Sequence, residues 1–105
     1  MARIVWSEPA LDDLDEIAEY IALDNLQEAK GLVQRTFETV DRLKDFPVSG
    51  RRPPELARTK YREVISGPCR VFYRVDDSRV LILHVLRSER ELRKMILNDR
   101  DGDGS

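Results

Sequence analysis

The residues best suited to chemistry lie in the second half of the chain. Four arginines could stabilise negative charge and three other side chains could move a proton: Arg62, Arg70, Arg74, Arg87, His84, Tyr73 and Glu63. Cleavage of RNA through its own 2′-hydroxyl needs such a set, because it uses a general base, a general acid and cations on the phosphate. A nuclease built from this chain would use Arg70, Arg74 and His84.

The three proton carriers also have structural interpretations, which their positions favour. His84 lies in an apolar strand, where a histidine is more often packed and hydrogen-bonded than catalytic. Strand alternation places its side chain on the face of Ile82, with Arg87 on the opposite face. Tyr73 alternates with valines, which favours core packing, and Glu63 follows an arginine in a pattern typical of an exposed cross-strand ion pair.

Two amphipathic helices precede these residues. Ser7 can cap the first helix, and apolar residues then recur at helical spacing. Asp24 or Asn25 can cap the second helix, whose apolar stripe continues until Phe46-Pro47 ends it. The short connection between the two helices predicts an antiparallel hairpin with facing apolar stripes.

Strand patterns flank the helices, and an arginine-rich loop at 47–60 separates the two regions. A capping-box pattern at 88–91 then predicts a short final helix. The order β-α-α-β-β-β-α predicts an α+β fold, in which a helical hairpin packs on one face of a mostly antiparallel four-stranded sheet. The predicted strands, of which the last is the most apolar and central, are residues 3–6, 61–65, 69–75 and 80–86.

Length and composition limit the class of protein. The 105 residues suit one domain, which we place at 1–98, and an acidic tail at 99–105 that we predict to be disordered. The single Cys69 leaves no disulfide and no cysteine pair for zinc, which indicates a reducing compartment. The chain contains no apolar run long enough to span a membrane and no signal-peptide pattern.

Charge is divided unevenly along the chain, although the formal net charge is only −2. Residues 1–45 carry five basic and eleven acidic residues, a net charge of −6. Residues 46–98 carry twelve basic and six acidic residues, a net charge of +6. The near-neutral total argues against a simple nucleic-acid binder, but the basic half predicts an anionic partner, either an acidic protein segment or nucleic acid.

Several short motifs stand in a fixed order between residues 3 and 96: Trp6 to Ile17 with Tyr20-Ile21, Leu43, Phe46-Pro47, Gly50-Arg51, Arg62-Glu63-Val64, Arg70 to Val75 and Ile82 to Arg87. This ordered set resembles the ParE-type toxins of the RelE/ParE superfamily, from bacterial toxin–antitoxin modules. The resemblance implies a small cytoplasmic toxin that is neutralised by a partner antitoxin. One departure is that Arg87 stands where the family often has a histidine, whereas His84 lies three residues earlier.

The resemblance leaves two activities open. In the ParE branch it implies inhibition of DNA gyrase, and in the RelE branch a ribosome-dependent mRNA endonuclease of the same fold. RelE-type nucleases place an aromatic or imidazole group near the C-terminal end, and residues 92–98 contain neither. This difference favours a gyrase-inhibiting toxin without catalysis of its own. A third interpretation is a binding module without toxicity.

The basic second half supplies the predicted contacts. For a cognate ParD-like antitoxin we predict three cations and one apolar anchor: Arg70, Arg74, Arg87 and Phe72. For toxicity, through DNA gyrase or a gyrase–DNA complex, we predict the cations of the C-terminal segment: Arg87, Arg90, Arg93 and Lys94. We expect no metal, cofactor, small-molecule substrate or membrane partner.

Overall fold

The computed structural model describes residues 1–56 and 58–102, apart from the side chain of Lys94. Within these residues one mixed sheet is formed by four strands: β1 (Arg3–Trp6), β2 (Arg62–Ser66), β3 (Cys69–Asp76) and β4 (Arg79–Arg87). The strand order is β1-β4-β3-β2, in which β1 runs parallel to β4 and the other neighbours are antiparallel. The predicted mostly antiparallel sheet is confirmed, and so is the interior position of the last strand.

A helical hairpin covers one face of the sheet, as predicted. It consists of α1 (Glu8–Ala22) and α2 (Leu26–Asp41), with a short 3₁₀ turn, Arg42–Lys44, after the second helix. Ser7 and Asn25 are the caps, and each side chain accepts a hydrogen bond from a backbone N–H three residues later, at 3.2 and 3.0 Å. These local bonds fix where each helix begins.

The sheet separates two apolar cores. Alternation along β3 directs Val71 and Tyr73 towards the hairpin and Phe72 to the opposite face. The larger core lies between the hairpin and the sheet. The smaller core packs Leu56 and Leu92 against Phe72, so the segments before β2 and after β4 cover the face that the hairpin leaves open.

A bulge in the pairing of β3 with β4 changes the face that His84 occupies. Phe72 pairs with His84 and Tyr73 pairs with Ile82, which leaves Leu83 as an extra residue. Beyond the bulge the alternation is shifted by one residue, and His84 lies on the face of Phe72, opposite to Ile82. The prediction that His84 shares a face with Ile82 is wrong, because unbroken alternation cannot anticipate an inserted residue.

The C-terminal helix begins later than the capping-box pattern predicts. α3 (Lys94–Arg100) has no side-chain cap, and residues 88–91 form a turn and an irregular segment instead of a helix start. The backbone N–H groups of this segment form hydrogen bonds with distant parts of the chain instead. Ser88 donates to the carbonyl of Pro68, and Leu92 donates to the carboxylate of Glu55. The predicted capping box is therefore wrong.

The domain also extends beyond the predicted boundary at residue 98. α3 continues to Arg100, and Asp101 is only 6% exposed. The expectation of a disordered tail from residue 99 onwards is wrong for residues 99–102, because Arg100 binds Asp13 and Asp101 binds Arg74. The rest of the predicted tail, 103–105, lies outside the described residues. No helix in the described part of the chain is both long and apolar enough to span a membrane.

Candidate functional site

Arg70 lies at the centre of a buried ionic network. Its guanidinium donates hydrogen bonds to the carboxylate of Glu55 at 2.7 and 2.8 Å, and to that of Glu63 at 2.6 and 3.3 Å. Glu63 also accepts two hydrogen bonds from Arg51, at 2.7 and 2.9 Å. The Arg70 side chain is 7% exposed and that of Glu63 is fully buried. The charge of Arg70 is thus neutralised inside the protein.

Sheet register brings this network together. Glu63 pairs with Phe72 in the β2–β3 ladder, so Arg70, two residues away, is its diagonal neighbour on the same face. Arg51 forms an isolated bridge with Glu63, and Glu55 reaches the network from the loop before β2. The predicted ion pair of Glu63 is confirmed, but it is buried rather than exposed.

The protonation states of this network are fixed. Hydrogen bonds from Arg70 lower the pKa of Glu55 to about 2, against the smaller opposing effect of its burial. The bonds to Glu55 in turn raise the pKa of Arg70 above its ordinary value, more than burial lowers it. At neutral pH the arginine therefore keeps its proton and the carboxylate stays charged.

Arg74 is bound by the C-terminal end of the domain. Its Nε donates to Asp101 Oδ1 at 2.6 Å, and the Tyr61 hydroxyl donates to the other carboxylate oxygen at 3.2 Å. The Asp101 side chain is 1% exposed and that of Arg74 is 14% exposed. Although burial opposes it, the hydrogen bond to Asp101 raises the pKa of Arg74. Burial, reinforced by the charge of Asp101, raises the pKa of Tyr61 to about 12.

His84 is bound by a carboxylate from α1. Its Nδ1 lies 2.7 Å from Asp13 Oδ2, which also accepts hydrogen bonds from the Val85 N–H at 3.0 Å and from Arg100 at 2.5 Å. Burial alone would raise the pKa of Asp13, but these hydrogen bonds together lower it. Arg100 Nη1 also lies 2.7 Å from Nδ1, so a carboxylate and a guanidinium both contact this nitrogen. The other ring nitrogen, Nε2, is buried and has no hydrogen-bond partner among the described residues.

The three residues of the predicted nuclease set thus occupy one face of the sheet. Arg70 and His84 flank Phe72 on this face, and Arg74 extends towards the C-terminal end of α3. Each of the three is bound by its own carboxylate partners within the domain. The packed and hydrogen-bonded interpretation of His84 is confirmed, and the arginines have a structural role that their sequence positions did not indicate.

The predicted antitoxin contacts have unequal exposure. Phe72 is 0% exposed and lies between the Arg70 guanidinium, 4.9 Å from its ring centroid, and the His84 ring, at 5.7 Å. The loop before β2 and α3 cover Phe72 and Arg70 in this chain, and their contact with the antitoxin stays a prediction. Arg87 differs, because its side chain is 37% exposed and its guanidinium lies 5.1 Å from the ring centroid of Tyr20.

The cations predicted for toxicity are more accessible. Arg90 and Arg93 are exposed, and in the described part of the chain no carboxylate lies within ion-pair distance of either. Arg87 pairs with Glu89 at 2.9 Å. Lys94 begins α3, but its side chain lies outside the described part of the structure.

Two further candidates have structural positions. The hydroxyl of Tyr73 donates to the Pro47 carbonyl at 2.8 Å and accepts from the Gly50 N–H at 2.9 Å, which confirms the predicted core position of this tyrosine. Arg62 donates to the carbonyl of Gly50 at 2.9 Å. Both side chains therefore anchor the loop that precedes β2.

Metal and thiol chemistry find no support among the residues described. No group of three or more His, Cys, Asp or Glu side chains in this part of the chain is arranged to hold a metal ion. Burial raises the pKa of the Cys69 thiol to about 11, so the thiol is protonated at neutral pH and packs in the larger core.

Three carboxylates that bind the candidate residues are absent from the residues predicted from the sequence. Asp13 lies in the first amphipathic helix, and Asp101 lies in the predicted tail. Glu55 had one usable signal, because it is the sole acidic residue of the arginine-rich loop at 47–60. The partner of Asp13, His84, lies 71 residues away in the sequence, and the partner of Asp101, Arg74, lies 27 residues away. The local sequence of neither aspartate indicates such a partner.

A helical hairpin on a mixed four-stranded sheet is the architecture that the resemblance to the RelE/ParE superfamily predicts for this chain. The model of the family described as the ParE toxin of type II toxin–antitoxin systems, parDE, matches residues 4–92. This chain belongs to that family, and we conclude that it is a toxin of a type II toxin–antitoxin system.

Individual relatives agree with this assignment. Putative toxin Y4kP of Sinorhizobium fredii is 35% identical over 89 residues, covering 85% of this chain and 91% of that protein. Toxin RelE2 of Caulobacter vibrioides is 33% identical over 91 residues, covering 86% of this chain and 99% of that protein. One of these relatives is therefore named for the RelE branch, whereas the other is named only as a putative toxin.

Solved structures support the same fold. A chain of the chromosomal ParDE toxin–antitoxin system from P. aeruginosa superposes with a TM-score of 0.70 at 26% identity, covering 85% of this chain and 98% of that chain. A chain of the RelBE2 toxin–antitoxin complex from Mycobacterium tuberculosis, at 20% identity, is similar in fold with a TM-score of 0.55, covering 82% of this chain and 96% of that chain.

Proposed function

We propose that this toxin inhibits DNA gyrase in the cytoplasm by binding to it, without catalysis of its own, and that a cognate ParD-like antitoxin neutralises it. One observation carries the choice against nuclease activity. Arg70, one of the two arginines of the predicted nuclease set, is 6% exposed and bound by two carboxylates. A catalytic arginine has to reach the developing charge of the substrate, and this one is not presented to solvent.

The end of β4 and the segment after it supply the proposed gyrase contact. Arg90 and Arg93 are exposed in that segment, and Arg87, at the end of β4 on the hairpin side, has more than a third of its side chain accessible. Such cations contribute to a protein interface chiefly by steering and by pairing with carboxylates or phosphates of the partner. We keep Lys94 in the proposed contact on its sequence position alone.

A supercoiling assay tests this proposal. Purified toxin is titrated against DNA gyrase, relaxed plasmid and ATP, and we expect supercoiling to stop when toxin is in excess. Antitoxin added first should restore the reaction. The double variant Arg90→Ala/Arg93→Ala should inhibit more weakly than Lys30→Ala/Arg42→Ala, which removes two exposed cations from the hairpin side. Unaltered gyrase activity at toxin excess would refute the proposal.

A ribosome-dependent mRNA endonuclease is the second candidate, and one contact favours it. The hydrogen bond between Asp13 and His84 Nδ1 is of the kind that orients an imidazole for acid–base catalysis. The buried Nε2 counts against it, because a catalytic nitrogen must reach the substrate. Primer extension on translated mRNA would reveal cleavage within codons at the ribosome, and we expect none.

The antitoxin contact is proposed at Arg87. Its guanidinium is held over the Tyr20 ring, at the edge where the hairpin meets β4, and this pairing limits the side-chain entropy lost on binding. We expect Arg87→Ala to weaken antitoxin binding about tenfold in calorimetry. Arg79→Ala, which removes a cation from the other end of β4, is the matched control and should bind normally. Equal affinity of both variants would contradict the assignment.

A further inference from the structure

Two exposed segments of the basic half lie side by side on the open face of the sheet. Glu55, in the loop before β2, accepts a hydrogen bond from the backbone N–H of Leu92 at 3.1 Å. Arg70 joins the same segments, because its guanidinium binds Glu55 and also donates to the carbonyl of Arg90 at 3.2 Å. The apolar side chains of Leu56 and Leu92 pack together beneath them. The two segments therefore form one continuous surface.

Four arginines of these segments are exposed and have no ion-pair partner among the residues that the structure describes, although Arg52 donates a hydrogen bond to the carbonyl of Thr59. Arg52 and Arg58 are exposed on the loop, and Arg90 and Arg93 are exposed after β4. In the described part of the chain no carboxylate comes within 4.0 Å of any of them, although Arg51, Arg70 and Arg74 nearby are all paired. We call Arg52, Arg58, Arg90 and Arg93 the arginine surface. Its charge is available to a partner, whereas the charge of the buried network is not.

The exposed carboxylates of the first helix lie away from this surface. The exposed carboxylates of α1, among them Asp12, Asp15 and Glu19, belong to the hairpin, which packs on the opposite face of the sheet. Glu89 and Glu91 are also exposed, in the same segment as Arg90 and Arg93. The exposed carboxylates of α1 outnumber these two, so a polyanion is repelled more strongly on the hairpin side than at the arginine surface, which favours one orientation.

We propose that the arginine surface binds the phosphate backbone of duplex DNA directly, without gyrase. A duplex is favoured over single-stranded nucleic acid because single-strand binding relies on exposed aromatic rings for base stacking. The aromatic rings on this face, Tyr61 and Phe72, are 3% and 0% exposed. The contact is independent of sequence, since arginines on a surface of this kind meet phosphates rather than base edges. It goes beyond the proposed gyrase contact and does not require it.

Fluorescence anisotropy with a labelled 20-base-pair duplex and the purified toxin alone tests this inference. Each phosphate neutralised lowers the logarithm of affinity by about 0.9 per logarithm of salt concentration, so four arginines give a slope of about −3.6. Between 50 and 200 mM salt the affinity should fall roughly 150-fold. The single strand of the same sequence should bind more weakly than the duplex.

Matched double variants localise the contact. Arg52→Gln/Arg58→Gln and Arg90→Gln/Arg93→Gln should each reduce the slope to about −1.8, so that affinity falls only about tenfold over the same salt range. The control, Lys30→Gln/Arg42→Gln, removes two exposed cations of the hairpin side and should keep the full slope.

Three results would overturn the inference: no duplex binding at 50 mM salt, preference for the single strand, or equal loss of slope in the control. The supercoiling assay is separate. A toxin that inhibits gyrase but does not bind free duplex retains the proposed function and loses only this inference.

Discussion

Replacement of Arg70 by methionine should destabilise the whole domain rather than remove an activity selectively. Methionine approximates the length of the arginine side chain but cannot donate its hydrogen bonds to Glu55 and Glu63. Glu63 would remain fully buried with Arg51 as its remaining partner, and Glu55 would keep only the backbone N–H of Leu92. A buried carboxylate is thereby left undercompensated.

The magnitude follows from the burial of the pair. Removing one partner of a buried ion pair lowers the free energy of unfolding by about 3–5 kcal/mol. Because Glu63 keeps its ion pair with Arg51, we expect a loss at the lower end, about 3 kcal/mol, for Arg70→Met. Such a loss is a large part of the roughly 5–15 kcal/mol that stabilises a small domain. For a chain of this size it corresponds to a fall in Tm of roughly 12–24 °C.

Urea unfolding followed by circular dichroism measures this loss in the free energy of unfolding. Arg79→Met is the matched control, since it removes a more exposed pair with Asp76 and should cost at most about 1 kcal/mol. If Arg70→Met costs no more than the control, Arg70 has no structural role, and the argument against its use in catalysis fails.

Three further changes test other parts of the structure. Lowering the pH from 4.5 to about 2 should remove the stabilisation due to Glu55, because its pKa in the folded protein lies below its ordinary value of 4.5. The free energy of unfolding in urea should therefore fall over this pH range, and it should fall less steeply in Arg70→Met. Gly50→Ala should cost about 1–3 kcal/mol, because the new Cβ would clash with the Tyr73 hydroxyl and lie 2.8 Å from the Glu63 carbonyl oxygen. Gly31→Ala faces only a flexible arginine side chain and should be neutral or stabilising, so equal unfolding free energies of the two variants would contradict this account. Asp13→Ala should cost about 1–3 kcal/mol and speed amide hydrogen exchange across α3, and unchanged exchange there would show that Arg100 does not hold that helix.

Periodicity and capping were sufficient to predict most of the fold. Ser7 and Asn25 begin their helices where the sequence indicates, because an N-cap depends on residues three positions apart. The alternation of Tyr73 with valines correctly predicted that this tyrosine packs in the core. The predicted packing of His84 was also correct, although the partner that holds it was not foreseen.

The errors arose where distant residues decide the local structure. The bulge at Leu83 places the His84 side chain on the opposite face of the sheet from Ile82. No local sequence pattern indicates this bulge. The capping-box pattern at 88–91 fails because its backbone is bonded to the turn before β3 and to Glu55 instead. The burial of Arg70 depends on two carboxylates that meet only in the folded chain, so its charge was taken for an exposed one.

The stoichiometry of inhibition tests the central claim, action by binding without catalysis, most directly. Toxin is added in substoichiometric steps to a fixed amount of DNA gyrase, and residual supercoiling is measured after short and long incubation. A binding toxin should inhibit in proportion to the amount added, with no further loss of activity over time. Progressive loss of activity from a small fraction of toxin, or cleaved mRNA in a parallel translation reaction, would contradict the account.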